Sequence, residues 1–316
     1  MTENDIIIIG AGAAGLNAGL YAVRAGMKVK VLEKQTPGGQ MLSHEAVENF
    51  PGFPEGIKGQ ELAQRLKAQA VNSGLTIFKE KARQIVFVQP SEAFSWYVVK
   101  TEGKDYTTQS IILACGAVPK RLGVPREEML TGRGVSYSAS CDGSLFRDQE
   151  VILVGEDNVA AEEALCLSKF AHRITFIHRG QRLRADKIFQ DKLKADPRIV
   201  FIGNTVVLEI LGEDRVCGLK VENISTARKS EISCKGVFIF AGLKPNTDFI
   251  KGLVKMDKDG FIVTDKNLRA SRKGIFACGD CRAKELHQIV VACSEGAEAA
   301  QACRNYLKEL NGVSRD

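Results

Sequence analysis

The stretch Ile6-Ile-Ile-Ile-Gly10-Ala-Gly-Ala-Ala-Gly15 decides how this chain begins to fold. Four β-branched residues in a row predict a buried strand, and glycines at the spacing GxGxxG predict a tight turn into a helix. Apolar residues then recur at helical spacing until Gly26, which predicts the end of that helix. Lys28–Leu32 alternates as a second strand, so the opening segment is a βαβ unit.

The same pattern returns in the middle of the chain. Glu150–Val154 and Arg173–Ile177 are predicted strands, and the turn Gly155–Ala160 and a helix over Glu162–Lys169 lie between them. Two such units in 316 residues predict an α/β protein made of two Rossmann-like three-layer domains, the smaller inserted into the larger.

Turn-rich segments predict the limits of the insertion. Gly116–Lys120 lies on one side and Gly242–Asn246 on the other. We expect the first domain to span 1–117 and 246–316, and the inserted domain to span 118–245. Further expected elements are strands at Ile111–Ala114 and Val237–Phe240, antiparallel strands between Phe78 and Val99 that turn at Gln89–Ser91, and a closing helix from Ser294 to Leu310.

Composition excludes several classes of protein. The formal charge is only +6, and basic and acidic residues are interleaved, which argues against nucleic acid as a partner. We find no pattern typical of a signal peptide and no apolar run long enough to span a bilayer. The nine cysteines are scattered and odd in number, which favours a reducing cytoplasm over a disulfide framework.

The glycines of the first turn suit a dinucleotide ligand. Gly10 makes the tight turn, Gly12 lets backbone amides reach a pyrophosphate, and Gly15 allows the helix to pack closely on the strand. Glu33 ends the second strand, about 20 residues on, where its carboxylate can accept ribose hydroxyls.

Four later segments make the chain resemble the low-molecular-weight thioredoxin reductase family along essentially its whole length. They are Gly38–Gln40, Glu48–Phe53, Gly274–Asp280 and the run His287-Gln288-Ile-Val. The resemblance implies that the first site holds FAD, that the protein is a homodimer, and that a thioredoxin-like protein is its partner.

The resemblance also assigns roles to individual residues. It implies that Gln40 and Asn49 contact the flavin ring, that Asp280 contacts the ribityl chain, and that backbone near Gln288 and Ile289 faces the flavin pyrimidine edge. A helix N-terminus there would stabilise negative charge on reduced flavin. Further FAD contacts are implied for Ala13, Ala14, Lys34, Gly39, Ala82, Ala114, Gly116, Gly279 and His287.

The redox motif of the family is present in part. Family members read Cys-Ala-Thr-Cys-Asp-Gly where this chain reads Ser138-Ala-Ser-Cys141-Asp142-Gly143. The resemblance makes Cys141 the cysteine beside the flavin and Asp142 the proton donor, whereas Ser138 replaces the cysteine that attacks thioredoxin. A serine cannot form a disulfide, so this site cannot cycle between dithiol and disulfide. Ser138 is either natural or a laboratory exchange, and the sequence leaves both open.

A second CxxC spacing, Cys278 to Cys281, flanks Asp280. Family members carry small residues at both cysteine positions. We therefore expect that Cys278 and Cys281 merely replace small residues and do not form a second redox pair. No second ligand pair stands nearby in the sequence, so we expect no metal site.

The second nucleotide turn departs from the pattern of relatives that use NADPH. In Gly155-Glu-Asp157-Asn158-Val-Ala160, Asp157 stands where a glycine should let backbone contact the pyrophosphate, and its charge repels phosphate by about 4 kcal/mol at 4 Å and an effective dielectric near 20. The 2′-phosphate clamp keeps His178, Arg179 and Arg184, but Gly180 replaces an arginine. We therefore expect NADPH to be an inefficient donor.

Three functions remain open from the sequence. The leading hypothesis is a thioredoxin reductase-like flavoenzyme that receives electrons from a protein such as ferredoxin or flavodoxin, or poorly from NAD(P)H. It would pass them through Cys141 and a partner cysteine at position 138 to a thioredoxin-like protein. A ferredoxin–NADP reductase-like flavoenzyme is the second hypothesis, although it would require an intact NADP site. A flavin-binding redox sensor without catalysis is the third.

Overall fold

The computed structural model describes residues 3–44, 47, 49–91, 94–310 and 312, and of Ser91, Phe94, Ser140 and Cys141 it describes the backbone alone. The strands are β1 (Asn4–Ile9), β2 (Val29–Glu33), β3 (Thr76–Lys79), β4 (Gln84–Ser91), β5 (Phe94–Lys100), β6 (Asp105–Leu113), β7 (Ala117–Pro119), β8 (Val135–Ser136), β9 (Glu150–Gly155), β10 (Arg173–Ile177), β11 (Ile199–Ile202), β12 (Thr205–Leu211), β13 (Gly218–Asn223), β14 (Arg228–Ser233), β15 (Gly236–Phe240), β16 (Leu243–Pro245) and β17 (Ile275–Ala277). The helices are α1 (Ala13–Arg24), α2 (Gly59–Asn72), α3 (Ala139–Asp142), α4 (Asn158–Leu167), α5 (Lys187–Ala195) and α6 (Ile289–Leu310).

Two units divide the chain, one of residues 1–118 with 244–316 and one of residues 119–243. The first unit is built on a sheet of order β3-β2-β1-β6-β5-β4, in which β17 also pairs with β6. Strands β1, β2, β3, β6 and β17 are parallel, so their carboxyl ends meet at one edge. In a sheet of this kind, that edge is where dinucleotides bind.

The core of the first unit lies on both faces of this sheet. Ile6 and Ile8 point to the face covered by α1 and α6, whereas Ile7 points to the opposite face, and all three are fully buried. Alternation across a strand explains why a continuous apolar run suits a sheet that is covered twice. Helices α1 and α6 approach closely, because a Cβ at Gly296 would lie only 2.3 Å from the carbonyl oxygen of Ala14.

The second unit repeats the plan on a smaller scale. Its parallel sheet has the order β11-β10-β9-β15-β8, and a three-stranded antiparallel sheet, β12-β13-β14, is added to it. The buried faces of α4 and the sheet contribute Ala160, Ala164, Leu167, Phe176 and Phe238 to one core. The fold class predicted from the sequence is thereby confirmed.

Some predicted element limits were wrong. Helix α4 begins at Asn158 instead of Glu162, and α6 begins at Ile289 instead of Ser294. Gln89–Ser91 was predicted as a turn but belongs to β4, which is an outer strand of the sheet, where a proline such as Pro90 is tolerated. Phe78 lies on β3, which pairs in parallel with β2.

Candidate cofactor and redox sites

The glycine turn after β1 has two glycines that the fold itself requires. Gly10 has a φ of +104°, and a Cβ there would lie 2.3 Å from the carbonyl oxygen of Ala114. A Cβ at Gly15 would lie 1.8 Å from the carbonyl oxygen of Gly10. These contacts let α1 start directly above β1.

Gly12 is different, because the fold leaves space beside it. A Cβ at this position would meet only the Cα of Gly39, at an ordinary distance of 3.8 Å. Gly12 is also the N-cap of α1, which has no side-chain cap. The first amides of α1 therefore lack an internal side-chain partner, and the space beside them fits a pyrophosphate.

Glu33 lies at the end of β2 and binds the turn. Its Oε2 accepts a hydrogen bond from the Ala11 amide at 2.7 Å, and its Oε1 accepts one from the Gln35 amide at 2.9 Å. Each carboxylate oxygen has a second lone pair, so ribose hydroxyls can still be accepted here. The sequence did not indicate that Glu33 also fixes the glycine turn.

Residues far apart in sequence meet in the first unit. Gln40 Nε2 donates to Asp280 Oδ2 at 3.1 Å, and Asn49 Nδ2 donates to the side-chain oxygen of Gln288 at 3.0 Å. Asp280 Oδ1 and His287 Nδ1 are both buried without a well-formed hydrogen bond, and the nearest polar atoms to Asp280 Oδ1 are His287 Nδ1 and Lys284 Nζ, each 3.4 Å away. Buried polar atoms of this kind need partners, and a polyhydroxyl chain such as the ribityl chain of FAD would supply them.

Asp280 is held in its charged form. Burial alone would raise the pKa of its carboxyl group, but contacts with His287 and Lys284 outweigh burial and lower that pKa. His287 Nδ1 and Lys284 Nζ each lie 3.4 Å from Asp280 Oδ1. An ionised carboxylate is the stronger acceptor for a hydroxyl group.

The remaining predicted contacts of the first site lie mainly along the same edge. Ala114 and Gly116 follow β6, Gly279 follows β17, and Ile289 is the first residue of α6. Gly10 packs against Ala114, and Gly279 packs against α1, because a Cβ there would lie 2.8 Å from the Cβ of Ala14. The other predicted contacts are Ala13 in the first turn of α1, Lys34 and Gly39 on the exposed segment after β2, and the buried Ala82 shortly before β4.

The redox motif of the second unit forms one short helical turn, α3. The amide of Asp142 donates to the carbonyl of Ser138 at 3.2 Å, and the hydroxyl of the buried Ser136 donates to Asp142 Oδ2 at 2.6 Å. Glu163 of α4 accepts a hydrogen bond from the Ala139 amide at 2.6 Å. Ser138 and Asp142 are thus brought together, whereas the side chain of Cys141 lies outside the described residues.

Asp157 caps the helix that follows the second glycine turn. Its Oδ1 accepts a hydrogen bond from the Ala160 amide at 3.0 Å. The carboxylate therefore occupies the place where α4 would offer an amide to a phosphate. At the first turn Glu33 binds the Ala11 amide but the N-cap of α1 contributes no side chain, whereas at the second turn the N-cap residue itself binds an amide of α4.

Other contacts also tie the second turn to its own surroundings. Asn158 Nδ2 donates to Asp186 Oδ2 at 2.9 Å, and its side-chain oxygen accepts the Asp186 amide at 2.6 Å. Arg184 pairs with Glu156 at 3.3 Å, which is an exposed contact of little energetic value. His178 is buried, and burial lowers the pKa of its imidazole, whereas Arg179 is exposed.

Comparison with known proteins identifies the family. The family described as "Pyridine nucleotide-disulphide oxidoreductase" matches residues 4–296. The chain belongs to this family. It is 40% identical over 309 residues to a thioredoxin reductase of Treponema pallidum, with 98% of this chain and 99% of the relative covered.

Solved structures of this oxidoreductase family share the fold. The crystal structure of Lactococcus lactis thioredoxin reductase in its FR conformation is 37% identical, has a TM-score of 0.92, and covers 97% of this chain and 100% of its own. A ferredoxin-flavin thioredoxin reductase from Clostridium acetobutylicum is 26% identical, with a TM-score of 0.53 and coverage of 98% and 99%. The resemblance to the thioredoxin reductases seen in the sequence is thereby confirmed.

Four cysteines of this family member are unsuited to redox exchange, namely Cys234, Cys278, Cys293 and Cys303. Cys278 and Cys281 are fully buried, and burial raises the pKa of Cys278 well above its ordinary value, whereas a hydrogen bond from Cys115 lowers the pKa of Cys281. Thiols react as thiolates, so a raised pKa makes them inert. Burial raises the pKa of Cys293 to about 11 and the pKa values of Cys234 and Cys303 to about 12.

Two residues of the first site were missed by the sequence analysis. Lys284 and Glu295 are buried against Asp280 and the turn that carries it. Lysine and glutamate are ordinarily surface residues, and neither position belongs to a motif. The one sequence signal was the position of Lys284, four residues after Asp280.

Within the described part of the chain, no three His, Cys, Asp or Glu side chains are grouped so that they could hold a metal ion. None of the helices described there has the length and apolar character that crossing a membrane requires.

Proposed function

We propose that this chain is an FAD-dependent flavoprotein of the thioredoxin reductase type that takes its electrons from a donor other than NADPH, and whose disulfide reduction requires a cysteine in place of Ser138. Family membership and similarity to thioredoxin reductases over the whole chain support the reaction class. The observation that carries the choice of donor is the hydrogen bond between Asp157 Oδ1 and the Ala160 amide.

The first unit supplies what FAD requires. The turn from Gly10 to Gly15 offers amides and open space to the pyrophosphate, and Asp280 Oδ1 offers an ionised acceptor to the ribityl hydroxyls. Gln40 and Asn49 are held near this acceptor and near α6 by their own hydrogen bonds. FAD, when bound, could take up single electrons from two successive donor proteins and release them as a pair, which is the chemistry that reduction of a disulfide needs.

The second unit is a poor site for NADPH. A carboxylate at the N-terminus of α4 repels phosphates and occupies the Ala160 amide that would bind them. The substitution of glycine at position 180 removes an arginine that could bind a 2′-phosphate, which costs about 1.5–3 kcal/mol. The net charge of +6 would attract an acidic electron-carrier protein such as ferredoxin or flavodoxin. The ferredoxin-flavin thioredoxin reductase from Clostridium acetobutylicum has a similar fold.

The output site needs a second cysteine. Ser138 and Asp142 are in one helical turn, and Cys141 lies between them in sequence. A cysteine at position 138 would give a CxxC pair that could form a disulfide and pass two electrons to a thioredoxin-like protein. Ser138 itself blocks that cycle, so the chain as it stands should carry reduced flavin without reducing disulfides.

The donor is tested by anaerobic absorbance of the flavin in the Ser138→Cys protein and in the unsubstituted chain. NADPH, NADH and chemically reduced ferredoxin are added in turn, and an oxidised thioredoxin is then supplied. We expect rapid bleaching with reduced ferredoxin, slow bleaching with NADPH, and thioredoxin reduction by the Ser138→Cys protein alone. Rapid bleaching with NADPH would contradict the donor assignment. Failure of all donors to support thioredoxin reduction would contradict the reaction class.

A further inference from the structure

A cluster of charged side chains is buried behind Asp280 in the first unit. The side chain of Lys284 is only 6% exposed and that of Glu295 only 7%. Lys284 Nζ lies between two carboxylates, 3.4 Å from Asp280 Oδ1 and 3.3 Å from Glu295 Oε2. The ammonium group therefore balances two buried negative charges.

Glu295 links this cluster to the backbone that carries Asp280. Its Oε2 accepts a hydrogen bond from the Gly279 amide at 2.7 Å, and its Oε1 accepts one from Arg282 Nη2 at 2.7 Å. The residue before Asp280 and the residue two positions after it are thus tied to one carboxylate on α6. Arg282 is itself held by a hydrogen bond from its Nη1 to the hydroxyl of Thr264 at 3.0 Å.

The charges in this cluster are closely matched. Lys284 and Arg282 carry two positive charges, and Asp280 and Glu295 carry two negative charges. Burial of a charge is costly unless it is paired, and apolar replacements of buried ion pairs are often equally stable. The stability of the fold therefore does not explain why these charged side chains are buried together. The need to orient the Asp280 carboxylate at the dinucleotide-binding edge of the sheet does explain it.

The cluster also reaches the glycine turn. Gly279 packs on α1 so closely that a Cβ there would lie 2.8 Å from the Cβ of Ala14. A shift of the Gly279–Asp280 backbone would therefore disturb both the turn and the acceptor oxygen. The Glu295 carboxylate, bonded to the Gly279 amide, opposes such a shift.

We propose that Lys284 and Glu295 are positioning residues of the cofactor site, which hold the Asp280 carboxylate and the Gly279 backbone in place to receive the ribityl chain of FAD. This inference rests on the FAD site proposed above. Lys284 acts on FAD through Asp280, and Glu295 acts through both Lys284 and the Gly279 amide.

The test is a double-mutant cycle on FAD affinity, with apo-protein titrated by FAD and followed by flavin fluorescence. Lys284→Met should weaken FAD binding by about tenfold or more, which is the coupling expected between residues in one charge network. In the Asp280→Asn protein, Lys284→Met should change FAD affinity by less than about threefold, because the carboxylate on which Lys284 acts is absent. Lys258→Met, at an exposed lysine, is the matched control and should leave the affinity unchanged.

Circular dichroism of each apo-protein separates binding from folding. If the Lys284→Met protein does not fold, Lys284→Gln replaces it in the double-mutant cycle. An unchanged affinity in Lys284→Met, or an equal loss in both backgrounds, would overturn the inference. Failure of the unsubstituted chain to bind FAD would instead overturn the proposed function.

Discussion

The three glycines of the first turn illustrate how much single residues contribute to the site. Gly10 and Gly15 have no space for a side chain, whereas Gly12 does. The sequence predicts the glycine motif, but it cannot separate glycines that serve packing from one that serves a ligand. To tell these glycines apart, one must know where Ala114 and Gly39 lie in the fold, and neither residue is adjacent to the turn in the sequence.

We expect Gly12→Ala to weaken FAD binding by about tenfold or more, because a methyl group would enter the pyrophosphate site. Its cost to the stability of the apo-protein should be no more than about 1 kcal/mol, since the new Cβ meets only the Gly39 Cα. Gly15→Ala is the contrasting variant and should destabilise the fold severely. Equal FAD affinity in Gly12→Ala and the unsubstituted chain, measured by fluorescence titration, would contradict this assignment.

Asp157 is the residue on which the choice of donor depends. Asp157→Gly combined with Gly180→Arg should tighten NADPH binding by about tenfold or more, because it removes a repelling carboxylate and restores a phosphate contact. Glycine is an acceptable N-cap, so the loss of stability should be only a few tenths of a kcal/mol.

Asp157→Asn is the matched control for this prediction. Asparagine still caps α4 but carries no charge, so its effect on NADPH affinity should be intermediate. Calorimetric titration of the three proteins with NADPH measures the difference. If NADPH binds the unsubstituted chain as tightly as the double variant, Asp157 does not control donor choice.

At the scale of elements, the periodic segments were predicted well and their ends less well. β10 was predicted with its observed limits, whereas α4 and α6 each start four or five residues earlier than predicted. The early turns of both helices contain polar residues or valines that weaken the helical signal, and contacts with the sheets decide their structure. Pro90 was read as a turn because the sequence does not reveal that β4 is an outer strand.

One loop of the second unit is held by a single carboxylate. Glu127 is 2% exposed, and it accepts hydrogen bonds from the Leu122 and Gly123 amides at 2.9 and 2.7 Å and from the Tyr137 hydroxyl at 2.7 Å. Burial, together with this contact, raises the pKa of Tyr137 to about 12. The segment that leads to β8 and the redox motif therefore depends on Glu127.

Glu127→Gln should reduce the free energy of unfolding of the second unit by about 2–4 kcal/mol, because an amide NH₂ would face backbone donors. The neighbouring Glu128→Gln is the matched control, since the Glu128 side chain is 85% exposed and should change stability by less than about 0.5 kcal/mol. Urea denaturation measures both. Similar losses in the two variants would show that burial of Glu127 has no special effect.

At the scale of the whole molecule, the two units share a βαβ unit in a parallel sheet but differ at their glycine turns. The repeated βαβ pattern was sufficient to predict two Rossmann-like domains, because each strand, turn and helix carries its own local signal. The buried cluster around Lys284 could not be predicted, since it depends on residues brought together by β17 and α6. Sequence spacing therefore predicts where a site lies, and tertiary contacts decide how its residues are held.

The contrast between the turns is the central claim, and calorimetry tests it most directly. The apo-protein is titrated with FAD, and the FAD-loaded protein is then titrated with NADP⁺. We expect one FAD to bind per chain with saturable heat, and no saturable binding of NADP⁺ at the concentrations that saturate the FAD site. Absence of FAD binding, or NADP⁺ binding as tight as that of FAD, would contradict the account.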